Sequence, residues 1–185
     1  MAWNFELVAG PYKGRTGGLA WDGSGMLFSA VAEERILRYD PASGKADLWR
    51  NWSGRTNGLA VAQDGTVYGA QEGGRRMVHF LKDGSTAPMP DLLDGKHHNQ
   101  PTDVIVDSKG RVWFADAYNA QVPYGPPVYP MLDHASVLIG ACPDNRRSKL
   151  FRYGTGNKNK WEERRSPAAN FKSLRRAELR KFVIT

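Results

Sequence analysis

A repeat of about forty residues restricts the fold of this chain more than any other feature. The segment GLAWDGSGMLF from Gly18 matches GLAVAQDGTVY from Gly58, and both match DVIVDSKGRVWF from Asp103. Each unit is a short apolar run, a turn that contains glycine, and a second run rich in β-branched and aromatic residues. The repeat therefore predicts a series of β-hairpins rather than helices.

Two further strands complete each unit. A third strand is predicted at 35–39 and at 77–81, each followed by a turn, and a weaker fourth strand precedes the next repeat. Four short antiparallel strands that recur every ~40–50 residues are typical of propeller blades. We therefore predict an all-β fold, an incomplete β-propeller of about three four-stranded blades.

Charge divides the 185 residues into two regions. Residues 146–185 carry thirteen Lys and Arg against three Glu, whereas the residues before them carry thirteen basic and sixteen acidic side chains. The repeat is also lost beyond Gly154. We predict a partial propeller over 1–145 and a basic C-terminal segment over 146–185, which begins with outer strands of the third blade and continues as a partly helical or disordered tail.

Three interpretations of this basic tail stay open. The Lys and Arg residues could bind the phosphates of a nucleic acid, and the aromatic residues among them could stack on its bases. No known nucleic-acid-binding motif is present. Residues 173–182 have apolar side chains at helical spacing, which predicts a short basic amphipathic helix. The repeat is lost where the net charge of the chain changes from negative to positive. This coincidence favours a third interpretation, in which the tail is a sequence that replaces the remaining blades.

The cysteine content and the N-terminal residues bear on the compartment. The single cysteine, Cys142, cannot form an internal disulfide, which fits a reducing environment. The first residues lack the basic start and apolar run of a signal peptide, and no apolar stretch of ~18 residues predicts a membrane span. We expect a cytoplasmic protein with neither membrane nor nucleic acid as a partner.

Two segments resemble a known family. NGLAVAQDGTVYGAQEGGRRMVHFLKDG, from Asn57 to Gly84, and HNQPTDVIVDSKGRVWFAD, from His98 to Asp116, are similar to the second and third blades of gluconolactonases, the senescence-marker-protein group of six-bladed propellers. The resemblance implies hydrolysis of a sugar lactone or related cyclic ester, with a divalent cation, calcium, in the central pocket. Such a cation would polarise the lactone carbonyl and activate a bound water.

The candidate site lies where each first strand begins near the propeller axis. In the repeat register these positions are Gly17, Asn57 and Thr102. The resemblance implies that Asn57 and Asp103 are metal ligands, that Asp103 is also catalytic, and that Asn57, Asn99 and Thr102 bind substrate.

Two departures from the family pattern shape the functional expectation. The family's Glu-Gly-Pro, whose Glu is a metal ligand, is replaced by Gly17-Gly18-Leu19, and its Asn-Asp is replaced by Thr102-Asp103. The family's other ligands belong to later blades that the repeat does not reach. The sequence thus predicts an ancestral lactonase with an incomplete ligand set. The alternative is a non-enzymatic binding or interaction module that exposes blade edges and self-associates through them.

Ordinary structural roles compete with function at each of these positions. Asn57-Gly58 is also a common turn pair, and Asp103 at a strand start can cap backbone amides. The run His97–Asn99 lacks the spacing of paired metal ligands and is interpreted as a solvated loop. Glu72 and the two arginines that follow it are interpreted as a salt-bridged surface loop. Ser136 lacks a nucleophile elbow, which argues against a catalytic triad.

Overall fold

The computed structural model describes residues 3–118 and 129–140. Within these ranges the regular structure is thirteen β-strands and one short 3-10 turn, Val31–Glu33. The strands form three blade-like sheets and one two-stranded ribbon. No helix in these ranges has the length and apolar character needed to cross a membrane.

The strands follow the predicted blades in chain order. Blade one contains β1 (Thr16–Trp21), β2 (Met26–Ala30), β3 (Arg35–Asp40) and β4 (Lys45–Arg50). Blade two contains β5 (Thr56–Val61), β6 (Val67–Gln71), β7 (Arg76–Phe80) and β8 (Thr86–Pro88). The ribbon pairs β9 (Leu92–Leu93) with β10 (Lys96–His97), and blade three contains β11 (Gln100–Val106), β12 (Val112–Ala117) and β13 (Ser136–Gly140). All neighbouring strands are antiparallel, which confirms the all-β incomplete propeller.

An aspartate stabilises the turn between the first two strands of every blade. Asp22 Oδ1 accepts hydrogen bonds from the backbone N–H groups of Ser24 and Gly25 at 3.0 and 2.8 Å. Asp107 Oδ1, at the same repeat position, accepts hydrogen bonds from the backbone N–H groups of Lys109 and Arg111 in blade three. In blade two that position is Ala62, and Asp64, two residues later, accepts from the Thr66 backbone N–H. An aspartate side chain therefore stabilises each of these turns, although its position in blade two differs.

The hydrophobic core lies between blades rather than within one sheet. The cluster between blades one and two contains Ala20, Leu27, Ile36, Leu59, Val67, Val78 and Phe80. The cluster between blades two and three contains Ala60, Tyr68, Ala70, Met77, Leu93, Val104, Val112, Phe114, Leu132 and Leu138. Each sheet therefore buries its apolar faces by packing on its neighbours, as propeller blades do.

The first strands of the blades make the closest contacts. Strand β5 packs against β1 on one side and β11 on the other. A Cβ atom built on Gly58 would lie 2.7 Å from Cα of Asp103 and 2.8 Å from the carbonyl oxygen of Thr102. Only glycine allows the two backbones to come this close, so Gly58 fixes the spacing of blades two and three.

The N-terminal residues and the basic tail lie at the margins of the described residues. Residues 3–15 form no strand, and Phe5 and Leu7 are exposed, because no described strand pairs with them. Tyr12 instead packs its ring 5.5 Å from that of Phe28 on blade one. The outer strands and basic tail predicted for residues 146–185 lie outside the described residues, as does most of the loop between β12 and β13.

Replacement of Gly58 by alanine tests the close approach of β5 and β11. We expect Gly58→Ala to lower the free energy of unfolding by roughly 1–3 kcal/mol, because the new Cβ must displace backbone rather than a flexible side chain. Chemical denaturation followed by circular dichroism measures this difference. Gly140→Ala is the matched control, because its Cβ would meet the mobile end of Met89 at 3.1 Å. Equal stability of the two variants would contradict the packing described.

Candidate functional site

A β-bulge at the start of each first strand builds the candidate site. In β5 the pairing passes from Thr56 opposite Gln71 to Gly58 opposite Ala70, which leaves Asn57 as the extra residue. In β11 Thr102 is the extra residue between Pro101 and Asp103, and β1 bulges between Gly17 and Ala20. A bulge redirects a side chain that regular pairing would hold in the sheet. The predicted positions Asn57 and Thr102 therefore share one structural feature.

The starts of these strands also lie side by side. A Cβ atom built on Gly17 would lie 2.9 Å from Oδ1 of Asn57. The carbonyl of Thr102 lies against Gly58, the next residue in β5. Gly17, Asn57 and Thr102 thus follow one another along the wall formed by the first strands, in the register that the repeat predicts. A side chain larger than glycine at position 17 would have to displace the Asn57 amide.

A buried carboxylate, Glu72, lies beside Asn57. Glu72 is 3% exposed, and the Arg15 guanidinium donates to both of its oxygens at 2.6 Å. Arg55 donates at 3.3 Å and the Asn57 amide at 3.4 Å. Glu72 lies in the turn between β6 and β7 and is salt-bridged, but its side chain is buried, so its interpretation as a surface group is wrong. Its ion-pair partners precede the first strands of blades one and two, and are not the two arginines that follow it in sequence.

A second buried polar group joins blades two and three. Asp116 is 1% exposed, and its Oδ2 accepts hydrogen bonds from the Asn99 backbone and side-chain N–H groups at 2.9 and 3.2 Å. Arg75, also buried, reaches from blade two and donates to the Asn99 carbonyl at 2.9 Å. The second blade is thereby held to the third by polar contacts as well as by the apolar core.

Burial raises the pKa of Asp116 to about 6, against the opposing effects of hydrogen bonds from Asn99 and Gln100 and the charge of Arg75. Sequence reasoning missed this residue. A signal was available, because Val112, Phe114 and Asp116 alternate along β12 and so share one face. That face packs on blade two, which places the carboxyl group in the interior.

The histidines near blade three have structural contacts. His98 is 4% exposed and packs edge-on against Phe114 with ring centroids 5.1 Å apart, so its interpretation as part of a solvated loop is wrong. Burial lowers the pKa of His98. His134 Nδ1 lies 2.6 Å from Asp133 Oδ1, but the buried Ser136 hydroxyl has no hydrogen-bond partner.

The other predicted site residues differ in their exposure. Asp103 is exposed, and its Oδ1 accepts a hydrogen bond from the Val104 backbone at 2.9 Å, the capping role that competes with metal binding. Asn99 is 2% exposed, and its amide is bonded to Asp116 and to the His134 carbonyl. The roles assigned to Asn57, Asn99, Thr102 and Asp103 stay predictions.

The residues present do not fit the cation that the family resemblance implies. No three His, Cys, Asp or Glu side chains come together as a possible metal site in residues 3–118 and 129–140. Glu72 is paired with two arginines, and glycine occupies position 17, where the family resemblance implies a carboxylate. Hard cations such as calcium need several oxygen ligands, and Asn57 and Asp103 alone supply too few.

A separate shallow pocket of about 330 Å³ lies between blades one and two. Its lining includes Glu34, Trp52, Arg55, Gln71 and Arg76. The Trp52 side chain is 86% exposed there. Because Arg55 also bonds Glu72, the pocket adjoins the polar group beside Asn57.

The fold and this row of bulged first strands define a partial β-propeller with a polar channel wall. The sequence model of the SMP-30/gluconolactonase/LRE-like region matches residues 16–156, and the chain belongs to this family. The match confirms the resemblance seen in the two blade segments. No curated protein matches the chain.

Solved structures support the same fold. A gluconolactonase from Xanthomonas campestris is 29% identical with a TM-score of 0.66, over 75% of this chain and 46% of that protein. A second, putative gluconolactonase is 23% identical with a TM-score of 0.65, over 77% of this chain and 50% of that protein. Virginiamycin B lyase from Staphylococcus aureus, 15% identical, has a TM-score of 0.51 over 74% of this chain and 41% of its own. The chain spans about half the length of the gluconolactonases it resembles.

The buried carboxyl group of Asp116 predicts a specific pH dependence of stability. Its folded pKa of about 6 lies above the ordinary value of 3.8, so the folded state keeps a proton that the unfolded chain loses. Stability therefore falls as the pH rises from about 4 to about 6, by roughly 1.4 kcal/mol per pH unit, and this contribution is level above that window.

Thermal or urea unfolding at several pH values measures this effect. The Asp116→Asn variant lacks the titrating group. We therefore expect the variant to lose less unfolding free energy than the wild type as the pH rises from 4 to 6. An identical slope in both proteins would show that Asp116 does not titrate in this range.

Proposed function

We propose that this protein binds a sugar lactone or related cyclic ester at the wall formed by β1, β5 and β11, and hydrolyses its ring ester. The observation that carries the proposal is the bulge that sets Asn57 at the start of β5, next to Gly17, in a chain of the gluconolactonase family. The similarity to the Xanthomonas campestris gluconolactonase supports the substrate class.

The side chains proposed for this site match the groups of a sugar lactone. The lactone offers a carbonyl and several hydroxyls, which suit hydrogen bonds from the Asn57 amide and the Thr102 hydroxyl. Hydrolysis adds water to the carbonyl carbon and breaks the ring carbon–oxygen bond, and the ring oxygen takes up a proton. In this proposal Asp103 accepts a proton of the attacking water through Oδ2, the oxygen that does not cap Val104, and returns it to the ring oxygen as the ring bond breaks. The carboxylic acid product then releases its own proton to solvent. Asn99 is buried below the site, where its backbone and side-chain N–H groups donate hydrogen bonds to Asp116.

The reaction creates a carboxylate product near cationic groups. Arg15 and Arg55 both approach Glu72 beside Asn57, and the Arg15 side chain is 55% exposed. A sugar acid formed at Asn57 would therefore meet a positive charge that partly offsets its own. Only the family resemblance implies calcium at this site. The described residues do not fit this cation, so the proposed reaction steps do not involve it.

A second candidate function is sugar-lactone binding without hydrolysis. Gly17 in place of the family's carboxylate, and the neutralisation of Glu72 by two arginines, favour a binding module. The two candidates share the ligand and the wall of first strands. They differ only in whether the ester bond is broken.

A lactone hydrolysis assay on the full chain tests the proposal. With glucono-lactone as substrate and proton release as the readout, we expect a saturable rate above that of buffer. Asn57→Ala should lower kcat/KM by about tenfold, which corresponds to about 1.4 kcal/mol of transition-state binding. The matched control is Asn51→Ala, an exposed asparagine of blade one that should leave the rate unchanged. Arms with calcium and with chelator show whether a cation takes part.

The remaining outcomes separate the two candidates. A rate equal to that of buffer, together with calorimetric binding of the lactone that Asn57→Ala weakens, identifies a binding module. A chain that neither binds nor hydrolyses the lactone contradicts both candidates.

A further inference from the structure

The pocket between blades one and two contains an aromatic residue that the core does not use. Trp52 and Tyr12 occupy the same position in successive repeats, six residues before Gly58 and Gly18. Tyr12 packs its ring against that of Phe28, with the ring centroids 5.5 Å apart. Trp52 is instead 86% exposed and lines the pocket. Packing within the protein therefore does not account for the large aromatic residue at position 52.

The backbone of the loop before β5 holds Trp52 in an unusual conformation. Its φ is 54°, in the left-handed region that bulky side chains rarely adopt, and Tyr12 has no such conformation. The next residue, Ser53, is fully buried, and its N–H donates to the Glu34 carbonyl of blade one at 2.9 Å. Local strain of this kind persists where the surrounding structure fixes it, and it is common at ligand sites.

Two glycines keep the floor of the pocket open. A Cβ atom built on Gly54 would lie 2.8 Å from the Gln71 amide nitrogen, and one built on Gly74 would lie 2.6 Å from the Gln71 amide oxygen. A side chain at either position would therefore displace Gln71, which lines the pocket. The resulting volume of about 330 Å³ falls within the range of ~300–1,000 Å³ that is usual for small-molecule sites.

Two charged side chains of the pocket have groups available to a ligand. Arg76 donates from Nε to the Gln71 amide oxygen at 3.1 Å, and its Nη groups have no partner in the described part of the chain. The Glu34 carboxylate likewise has no hydrogen bond or ion pair within residues 3–118 and 129–140. An anionic ligand would face Glu34 and a cationic ligand would face Arg76. The pair therefore favours a neutral ligand that both donates and accepts hydrogen bonds.

We propose that this pocket binds a pyranose ring. The C–H groups on one face of such a ring carry a partial positive charge, and the negative face of the Trp52 indole attracts them. The hydroxyls at the rim of the ring donate to the Glu34 carboxylate and accept from the Arg76 guanidinium. An exposed indole and an unpaired acid and base thus bind one neutral ligand.

The pocket adjoins the wall of first strands where the lactone is proposed to bind. Arg55 lines the pocket and donates to Glu72 at 3.3 Å, and the Asn57 amide donates to the same carboxylate at 3.4 Å. A ligand with its lactone at Asn57 can therefore place a second ring on Trp52. The preferred substrate is then the lactone of a disaccharide. This preference rests on the proposed hydrolysis, whereas binding of the pyranose ring does not.

An NMR titration of the full chain with cellobiose tests the pocket without hydrolysis. The chain has six tryptophans, and loss of one indole N–H signal in Trp52→Phe identifies the signal of Trp52. We expect millimolar cellobiose to shift this signal and to leave that of Trp3, which is also 86% exposed, unchanged. A Trp52 signal that does not move, or equal shifts at the two tryptophans, would overturn the proposal.

A comparison of two lactones tests the substrate preference. In the wild type we expect kcat/KM for cellobiono-lactone to exceed that for glucono-lactone by about tenfold, and Trp52→Ala should reduce this ratio to about one. Trp3→Ala, which removes an equally exposed indole outside the pocket, should leave the ratio unchanged. The preference is wrong if the wild type shows no difference between the lactones or if Trp52→Ala retains it. If neither lactone is hydrolysed, the proposed hydrolysis fails, while a cellobiose-induced shift of the Trp52 signal still supports the pocket.

Discussion

The contact between neighbouring first strands is the interaction on which the rest of this structure depends. At Gly58 the backbone of β5 approaches that of β11 so closely that a Cβ atom would lie 2.7 Å from Cα of Asp103. This approach sets the distance between blades, and that distance lets the apolar side chains of adjacent sheets form one core. It also brings the bulges of successive strands into line. Fold and candidate site therefore share one cause.

Polar contacts between blades accompany the apolar core. Glu72 of blade two is held by Arg15 and Arg55, and Arg75 reaches the Asn99 carbonyl before blade three. Burial of such groups costs solvation free energy, and loss of one partner leaves a buried charge uncompensated. Their contribution is therefore mainly to fix how one blade is placed on the next. The same contacts orient Asn57 and Asn99, which connects blade packing to the site.

The sequence was sufficient for the local parts of this fold. Repeated apolar runs and glycine-containing turns predicted the strands, and the repeat register placed Asn57 and Thr102 at equivalent positions, where both are the extra residue of a bulge. It did not reveal that Glu72 pairs with Arg15, because 57 residues separate them and a repeat carries no information about which side chains meet across blades. The burial of Asp116 was missed for a related reason. A lone carboxyl group in a strand is normally exposed, and only the packing of blade three on blade two encloses it.

The central claim is that the starts of the first strands form the ligand site of this propeller. Backbone amide NMR of the full chain titrated with gluconate, the stable product of glucono-lactone hydrolysis, tests it most directly. The account predicts that the largest shift changes cluster at the bulges around Asn57, Thr102 and Asp103. Changes confined to the outer strands β4 and β8, with the bulges unaffected, would contradict it.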